Sequence, residues 1–340
     1  MPSNPSSGRV RMSDVARAAG VARVTVSRVL SDPGSVAPET RAAVLAAVAR
    51  LGYVPNLNAG TLASSRSRIV GAILPTLSNA WFAETVDGLS VALSQAGYQL
   101  LVGQTRYDDA EEERLVGAFV GRRVEAMVLV GTTHAPAVCE RLRRAAVPVV
   151  ECWDLSDAPI DMVVGFSNRA AGMAVGRHLW ARGCRQLAFV GSEEGRSRQR
   201  LQGLREAVRA EGGDGEAVAV HLVQPPSSIA DGAGAVAQLL AGRPGIDGVF
   251  CSNDTLALGV LDACRRQGRA VPDRLAVVGF SDLPVAAVAV PALTTVRVNA
   301  RALGERAGEL LRARLLDGGA AAPAPQVHDL GFELVVRESA

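Results

Sequence analysis

Residues 12–30 read Met12-Ser-Asp-Val-Ala-Arg-Ala-Ala-Gly-Val-Ala-Arg-Val-Thr-Val-Ser-Arg-Val-Leu30. Val15, Ala16 and Ala19 share one face of a short helix, and Gly20 permits a tight turn. Val21, Val26 and Val29 then pack a second helix back onto the first. Arg23, Val24, Ser27 and Arg28 are left facing away. A second helix that presents its N-terminal side chains outward is the geometry that enters a DNA major groove. Arginine pairs with guanine O6 and N7, and a valine methyl can meet the methyl of thymine. A small helical core with a solvated arginine face would show the same pattern, so the surrounding sequence has to decide.

Outward from that segment, residues 1–9 are rich in Ser, Pro, Asn and Gly and read as a flexible tail. Asp32-Pro-Gly34 is a turn, Pro38 opens a third helix, and Val44, Leu45, Val48 and Leu51 carry its apolar face to Gly52. Residues 10–55 therefore form a three-helix head, followed by a linker over 56–68. Over 69–340 the texture changes to apolar runs alternating with amphipathic stretches. The runs include Ile69–Leu74, Ala126–Val130, Leu187–Val190, Gly248–Cys251 and Leu275–Gly279. Such alternation predicts doubly wound parallel sheets covered by helices, with too many strands for one small sheet, hence two α/β lobes. A helix near 299–315 and a single last strand near 327–336 close the chain.

The chain has 340 residues, 48% hydrophobic and 21% charged, an ordinary globular composition with room for two or three domains. All 36 basic residues are arginine. Without lysine there is no Walker A loop, no kinase-type strand lysine and no Schiff-base chemistry. Residues 1–68 hold nine arginines against three acids, a net +6, while the remainder holds 27 against 31, a net −4. A basic head on an acidic body points to a polyanion partner for the head. The five cysteines are widely spaced with no CxxC, as expected of buried thiols in a reducing compartment. No apolar stretch suitable for a secretory signal opens the chain, and charge-free runs such as Leu283–Val296 are too short to span a bilayer. A cytoplasmic protein without a membrane partner is expected.

Val24-Thr-Val-Ser-Arg-Val-Leu30, Thr40-Arg41, Leu51-Gly-Tyr-Val-Pro-Asn56 and Ala59-Gly-Thr-Leu-Ala63 follow one another in the order and spacing of the LacI family of transcription regulators. The chain resembles that family from end to end, since 69–336 look like its sugar-binding core. The resemblance implies an α/β protein with an N-terminal all-α helix-turn-helix head on a two-lobed core like that of periplasmic binding proteins. It implies DNA contacts from Arg23, Val24, Ser27, Arg28 and Tyr53. It further makes Asn56–Ser64 a hinge helix that folds only on DNA, with Asn56 and Ala59 against the duplex and Leu62 wedged into the minor groove. Physics agrees: an isolated nine-residue helix is marginal in water, and Gly60 weakens it by about 1 kcal/mol relative to Ala. An apolar wedge can unstack a base step. The sequence departs from the family at Arg11, Ala22 and Ala37, where Ser or Thr commonly opens a helix, each lost cap costing about 1 kcal/mol.

In the core the resemblance places an effector cleft at the carboxyl ends of the strands. Leu74-Pro-Thr-Leu-Ser-Asn-Ala-Trp-Phe82 brings Asn79, Trp81 and Phe82 to it, and Glu151 and Asp154 end the fourth strand. Arg196-Ser-Arg-Gln-Arg-Leu-Gln-Gly203 supplies Arg200, Ser252-Asn-Asp254 supplies Asn253, and Gly279-Phe-Ser-Asp282 supplies Ser281 and Asp282. Trp81 and Phe82 read equally well as lobe core, and Arg200 could instead sit on a helix surface beside Glu193 or Glu194. Ser281 stands where sugar-binding members commonly carry Asp. Its loss makes the surroundings of Arg200 friendlier to an anion, since arginine grips a carboxylate through two parallel hydrogen bonds. Val163-Val-Gly-Phe-Ser-Asn168, Asp247–Asp254 and Asp329-Leu-Gly-Phe332 resemble the gluconate-operon repressor branch.

These features converge on a homodimeric repressor that binds double-stranded operator DNA as two half-sites and is released by a small molecule, gluconate or a related sugar acid. A neutral sugar or a purine, as inducer or as corepressor, would keep the class and change the signal. A solute-binding protein lacks a reason for the basic head. A sugar-modifying enzyme lacks HExxH, GxSxG or GxGxxG, and the four histidines are scattered, so neither a catalytic site, a cofactor nor a metal is expected. Glu111-Glu-Glu113 reads as the solvated start of a helix.

Overall fold

The computed structural model describes residues 10–54, 67–316 and 325–340. The tail, most of the linker and the Ala/Pro/Gly connection before 325 lie outside the described residues. The chain divides into two compact units at Ser67.

The head is three helices, α1 (Met12–Ala19), α2 (Arg23–Ser31) and α3 (Pro38–Leu51). Val15, Val26, Val29 and Val44 are its fully buried centre, and Tyr53 packs among them. Gly20 and Gly52 end α1 and α3 at φ of 67° and 62°, a left-handed conformation that glycine adopts without a Cβ penalty. No side chain caps α2 or α3. At α1 the Asp14 carboxylate accepts the Arg11 backbone N–H at 2.9 Å. Proline at the first position of α3 has no N–H to leave unsatisfied.

In the core, β1 (Ile69–Leu74), α4 (Ala80–Ser94), β2 (Gln99–Gln104), α5 (Asp109–Gly121), β3 (Ala126–Val130), α6 (Pro136–Ala145), β4 (Val149–Cys152) and β5 (Met162–Gly165) make most of the first lobe. The second lobe holds α7 (Asn168–Ala181), β6 (Leu187–Ser192), α8 (Gly195–Ala210), β7 (Ala219–Val223), α9 (Ile229–Gly242), β8 (Gly248–Cys251) and α10 (Asp254–Arg266). It continues through β9 (Ala276–Ser281), α11 (Pro284–Val288) and β10 (Thr294–Arg297). The chain then returns to the first lobe for α12 (Ala300–Leu316) and β11 (Gln326–Asp329), and to the second for β12 (Glu333–Val335).

The two six-stranded sheets run β11-β5-β4-β3-β1-β2 and β12-β10-β9-β8-β6-β7. Every strand pair is parallel except β10 with β12. Strands buried on both faces alternate their partners. Ile73, Met127, Leu129 and Val149 pack under α5 and α6, while Val70, Val128 and Val150 join Leu89 of α4 and Leu303 of α12.

The single closing strand expected near 327–336 is in fact two. Gly331, at φ 68°, breaks it, and the halves enter different sheets. The charge-free run from Leu283 holds α11 and β10, neither of which was anticipated. The acidic start of α5 is solvated except at Glu112, which turns inward to accept from His134 Nδ1 at 2.9 Å. No described helix is long and apolar enough to cross a membrane.

Candidate nucleic-acid face and effector cleft

On the head, Arg23, Val24, Ser27 and Arg28 are all exposed, and Val24 is 63% accessible. They occupy the side of α2 opposite Val26 and Val29, which are buried. An apolar side chain left in solvent between two arginines suits a base edge better than a core. Tyr53 is only 7% exposed, so its ring belongs to the packing of the head. Asn56, Ala59 and Leu62 lie outside the described residues.

The cleft of the core is lined from both lobes, and each contributing loop leaves the carboxyl end of a parallel strand. From the first lobe come Asn79, Trp81 and Phe82 after β1, Tyr107 after β2 and Trp153 after β4. From the second come Ser192 and Glu194 after β6, Arg196 and Arg200 on α8, Ser227 after β7, Ser252 and Asn253 after β8, and Ser281 at the end of β9. These side chains surround about 410 Å³ of space, part of it open to solvent. Tyr107 and Trp153 stand at φ 64° and 74°, and Ser281 at 114°, strained conformations for residues with a Cβ. Such outliers gather where a structure fixes a binding surface.

Close helix packing delivers Arg200. α7 crosses α8 so tightly that a Cβ at Gly172 would strike the Arg200 carbonyl oxygen, and one at Gly203 would strike that of Arg169. Arg200 is thereby buried rather than on a helix surface. Its Nε donates to Asn168 Oδ1 at 2.9 Å, its Nη1 to the Ser252 carbonyl at 2.6 Å, and its guanidinium carbon lies 3.5 Å from the Phe280 ring centroid. Burial pulls its pKa down to about 10, against the attraction of Glu194, so it stays charged at neutral pH. Arg196 Nε donates to Glu194 Oε2 at 2.9 Å. Burial would lower the Arg196 pKa, but Glu194, with Tyr107 and Asp154, outweighs it and the shift is upward. Burial would likewise raise Glu194, but Arg196 and Arg200 hold it below its ordinary value. Burial raises the Tyr107 phenol, which stays neutral.

Phe82 and Trp81 serve both as cleft lining and as packing. An edge-to-face series runs Trp81–Phe82–Trp153–Phe166–Phe280 at centroid spacings of 5.9, 5.3, 6.0 and 5.9 Å, the last pair tilted rather than edge-on. Phe166 lies in the crossover between β5 and α7, so the series joins the lobes at one of the segments that pass between them.

Two expected cleft residues lie elsewhere. Glu151 is buried inside the first lobe, where it accepts the Ile160 N–H at 2.6 Å and sits 3.5 Å from His134 Nε2. A strand-end carboxylate beside a buried histidine finds its partner inward. Asp282 is turned from the cleft by two ion pairs of 2.7 Å, to Arg297 and Arg337. Asp154 sits just behind the lining, accepting from Gln199 and Asn168. Sequence reasoning missed Tyr107, Trp153, Ser192, Glu194, Arg196, Ser227 and Ser252. For Arg196 a signal was present: it stands four residues before Arg200, on the same helical face.

Comparison with known proteins gives matching results for both units. Residues 11–56 match the pattern described as bacterial regulatory proteins, lacI family, and residues 177–340 match the periplasmic binding protein-like domain. An HTH-type transcriptional regulator GntR of Pseudomonas aeruginosa is 37% identical over 335 residues, covering 98% of this chain and 96% of that one. A crystal structure of a LacI-family transcriptional regulator from Silicibacter pomeroyi superimposes with a TM-score of 0.89 at 31% identity, over 97% of this chain and 99% of the other. The lac repressor dimer bound to operator and the anti-inducer ONPF gives a TM-score of 0.83 at 26% identity, over 98% and 99% of the two chains.

Proposed function

The chain belongs to the LacI family of bacterial regulatory proteins, and we propose that it is a homodimeric repressor of a sugar-acid utilisation operon, released from DNA by gluconate or a close relative. Two heads read the half-sites of a palindromic operator through Arg23, Val24, Ser27 and Arg28. The 56–64 segments meet the central minor groove. A dimer on operator is the assembly of the lac repressor structure that this chain resembles. Effector binding changes how the lobes close, which alters the geometry of the paired hinges and disfavours their folding on DNA. The protein acts where its operator is, in the cytoplasm.

The observation that carries the choice of effector is the charge of the cleft wall. Arg196 and Arg200 face one lining carboxylate, Glu194; among the described residues no second acid lines the space, and Asp154 behind the wall is engaged by Gln199 and Asn168. Ser281 fills the position where an Asp would have cancelled the surplus. Of the charged groups that line the space the two guanidiniums outnumber the one carboxylate, which suits an anion of low charge, and the serines and Asn253 supply hydrogen-bonding groups for a polyol.

A gel shift on the DNA upstream of the chain's own gene tests this, with gluconate, glucose and a purine added in separate lanes. Binding at low salt that is released by gluconate alone is the expected result. If none of the three alters binding, the sugar-acid reading fails. If no DNA is bound at low salt, the repressor reading fails.

A further inference from the structure

Two guanidinium groups reach the cleft, and they are not equivalent. Arg200 is held at Nε by Asn168, at Nη1 by Ser252 and on its face by Phe280, which leaves only Nη2 without a hydrogen bond among the described residues. Arg196 donates only Nε, to Glu194, and neither of its terminal nitrogens has a protein partner among the described residues. It is nevertheless only 8% exposed, with its guanidinium carbon 5.4 Å from the Phe82 ring centroid. The terminal nitrogens are not among the enclosed donors of the described residues, so they open onto the cleft, and a planar fork with both terminal N–H₂ groups unengaged is the complement of a carboxylate.

Glu194 does two things to this fork. Its Oε1 accepts the Ser197 N–H at 3.1 Å, capping α8, while its Oε2 holds Arg196 Nε. The side chain is therefore fixed at both oxygens and orients the guanidinium. It also places a negative charge on the wall against which the effector must dock.

We propose that Arg196 is the receptor for the effector's carboxylate, that Arg200 is a positioning residue tying the cleft wall to Asn168, and that Glu194 limits the effector to one negative charge. The assignment rests on the sugar-acid reading above and departs from the sequence expectation, which gave the contact to Arg200.

Calorimetric titration of the full chain with gluconate, its neutral amide gluconamide, and the dicarboxylate glucarate tests it. The wild type should prefer gluconate to both others. Arg196→Gln should weaken gluconate by roughly 10- to 100-fold, to near the level of gluconamide, whose own affinity changes little. Arg200→Lys should weaken both ligands by similar factors and so preserve their ratio. Glu194→Gln keeps an oxygen for the Ser197 N–H and should admit glucarate by roughly 10-fold or more. If Arg196→Gln does not fold, Arg196→Lys retains the charge without the fork and should still lower the ratio of gluconate to gluconamide affinity. An unchanged ratio in either Arg196 variant, or glucarate still excluded from Glu194→Gln, overturns the assignment while leaving the sugar-acid reading intact. A wild type with no preference for gluconate over gluconamide defeats the sugar-acid reading itself.

Discussion

Gln199 of the second lobe donates from Nε2 to Asp154 Oδ2 of the first across 2.7 Å. The other Asp154 oxygen accepts from Asn168 Nδ2 at 3.2 Å, and Asn168 in turn receives Arg200 Nε. A continuous polar line thus runs from the first lobe, through the start of α7, to the cleft wall. If this line holds the lobes in register for the effector, Gln199→Ala should lower effector affinity by about 10- to 100-fold, the worth of one hydrogen bond to a charged group. Overall stability should change little, because Gln199 is only half-buried. Titration calorimetry beside a thermal melt separates the two, and unchanged affinity would show that the Asp154 bond plays no part in closure.

On the head, Arg28→Ala should weaken operator binding by about 1–3 kcal/mol. Anisotropy titrations at several salt concentrations identify the contact. A base contact relaxes sequence preference at one position, whereas a phosphate contact weakens all sequences alike and lowers the salt slope by about one. An unaltered affinity would remove Arg28 from the interface.

His134 gives a pH signature. Burial alone would lower its pKa, yet bonding to Glu112 and Glu151 raises it to about 10 from the ordinary 6.5. A folded-state value above the unfolded one means that the stabilisation is complete below about pH 6.5 and is lost as pH rises towards 10. His134→Gln should cost about 3–5 kcal/mol at pH 6, since it leaves two buried carboxylates facing each other. It should also flatten the decline in stability between pH 6.5 and 10, which denaturant melts across that range would read. A variant whose slope matches the wild type would refute the charged histidine.

Gly203→Ala tests how Arg200 is placed. The new methyl would meet the Arg169 carbonyl, so α7 and α8 must separate. Overpacking of this kind costs about 1–3 kcal/mol. The melting temperature should fall and effector affinity with it, while DNA binding by the folded fraction persists. A variant with wild-type stability would mean that the helices have slack.

The head was legible because its apolar spacing and turn residues are local, and Val15, Val26 and Val44 fall at its centre as their periodicity demands. The strand–helix alternation of the core was legible for the same reason. The end of the chain was not. Residues 326–335 carry one apolar texture, and only the tertiary partners, β5 for one half and β10 for the other, divide them. The cleft was read in part. The family resemblance implied Asn79, Trp81, Phe82, Arg200, Asn253 and Ser281, and all of them line the cleft. Glu151 and Asp282 were misplaced because a carboxylate at a strand end can turn either way, and the partners that decide, His134, Arg297 and Arg337, are distant in sequence. Tyr107 escaped because its orientation depends on two successive left-handed residues, Arg106 and Tyr107, with no glycine to announce them.

The return of α12 and β11 to the first lobe has a consequence for synthesis. A ribosome that has released residues 67–165 has made five of the six strands of the first sheet, but the strand that completes its edge against β5 spans residues 326–329. The helix covering α4, over 300–316, is equally late. The head, by contrast, has all of its three helices by residue 51. A nascent chain therefore carries a DNA-reading unit long before it owns a finished sensor. Truncation anywhere before residue 326 leaves both sheets short of a strand, so premature termination should produce a product cleared by proteolysis rather than a repressor deaf to its effector.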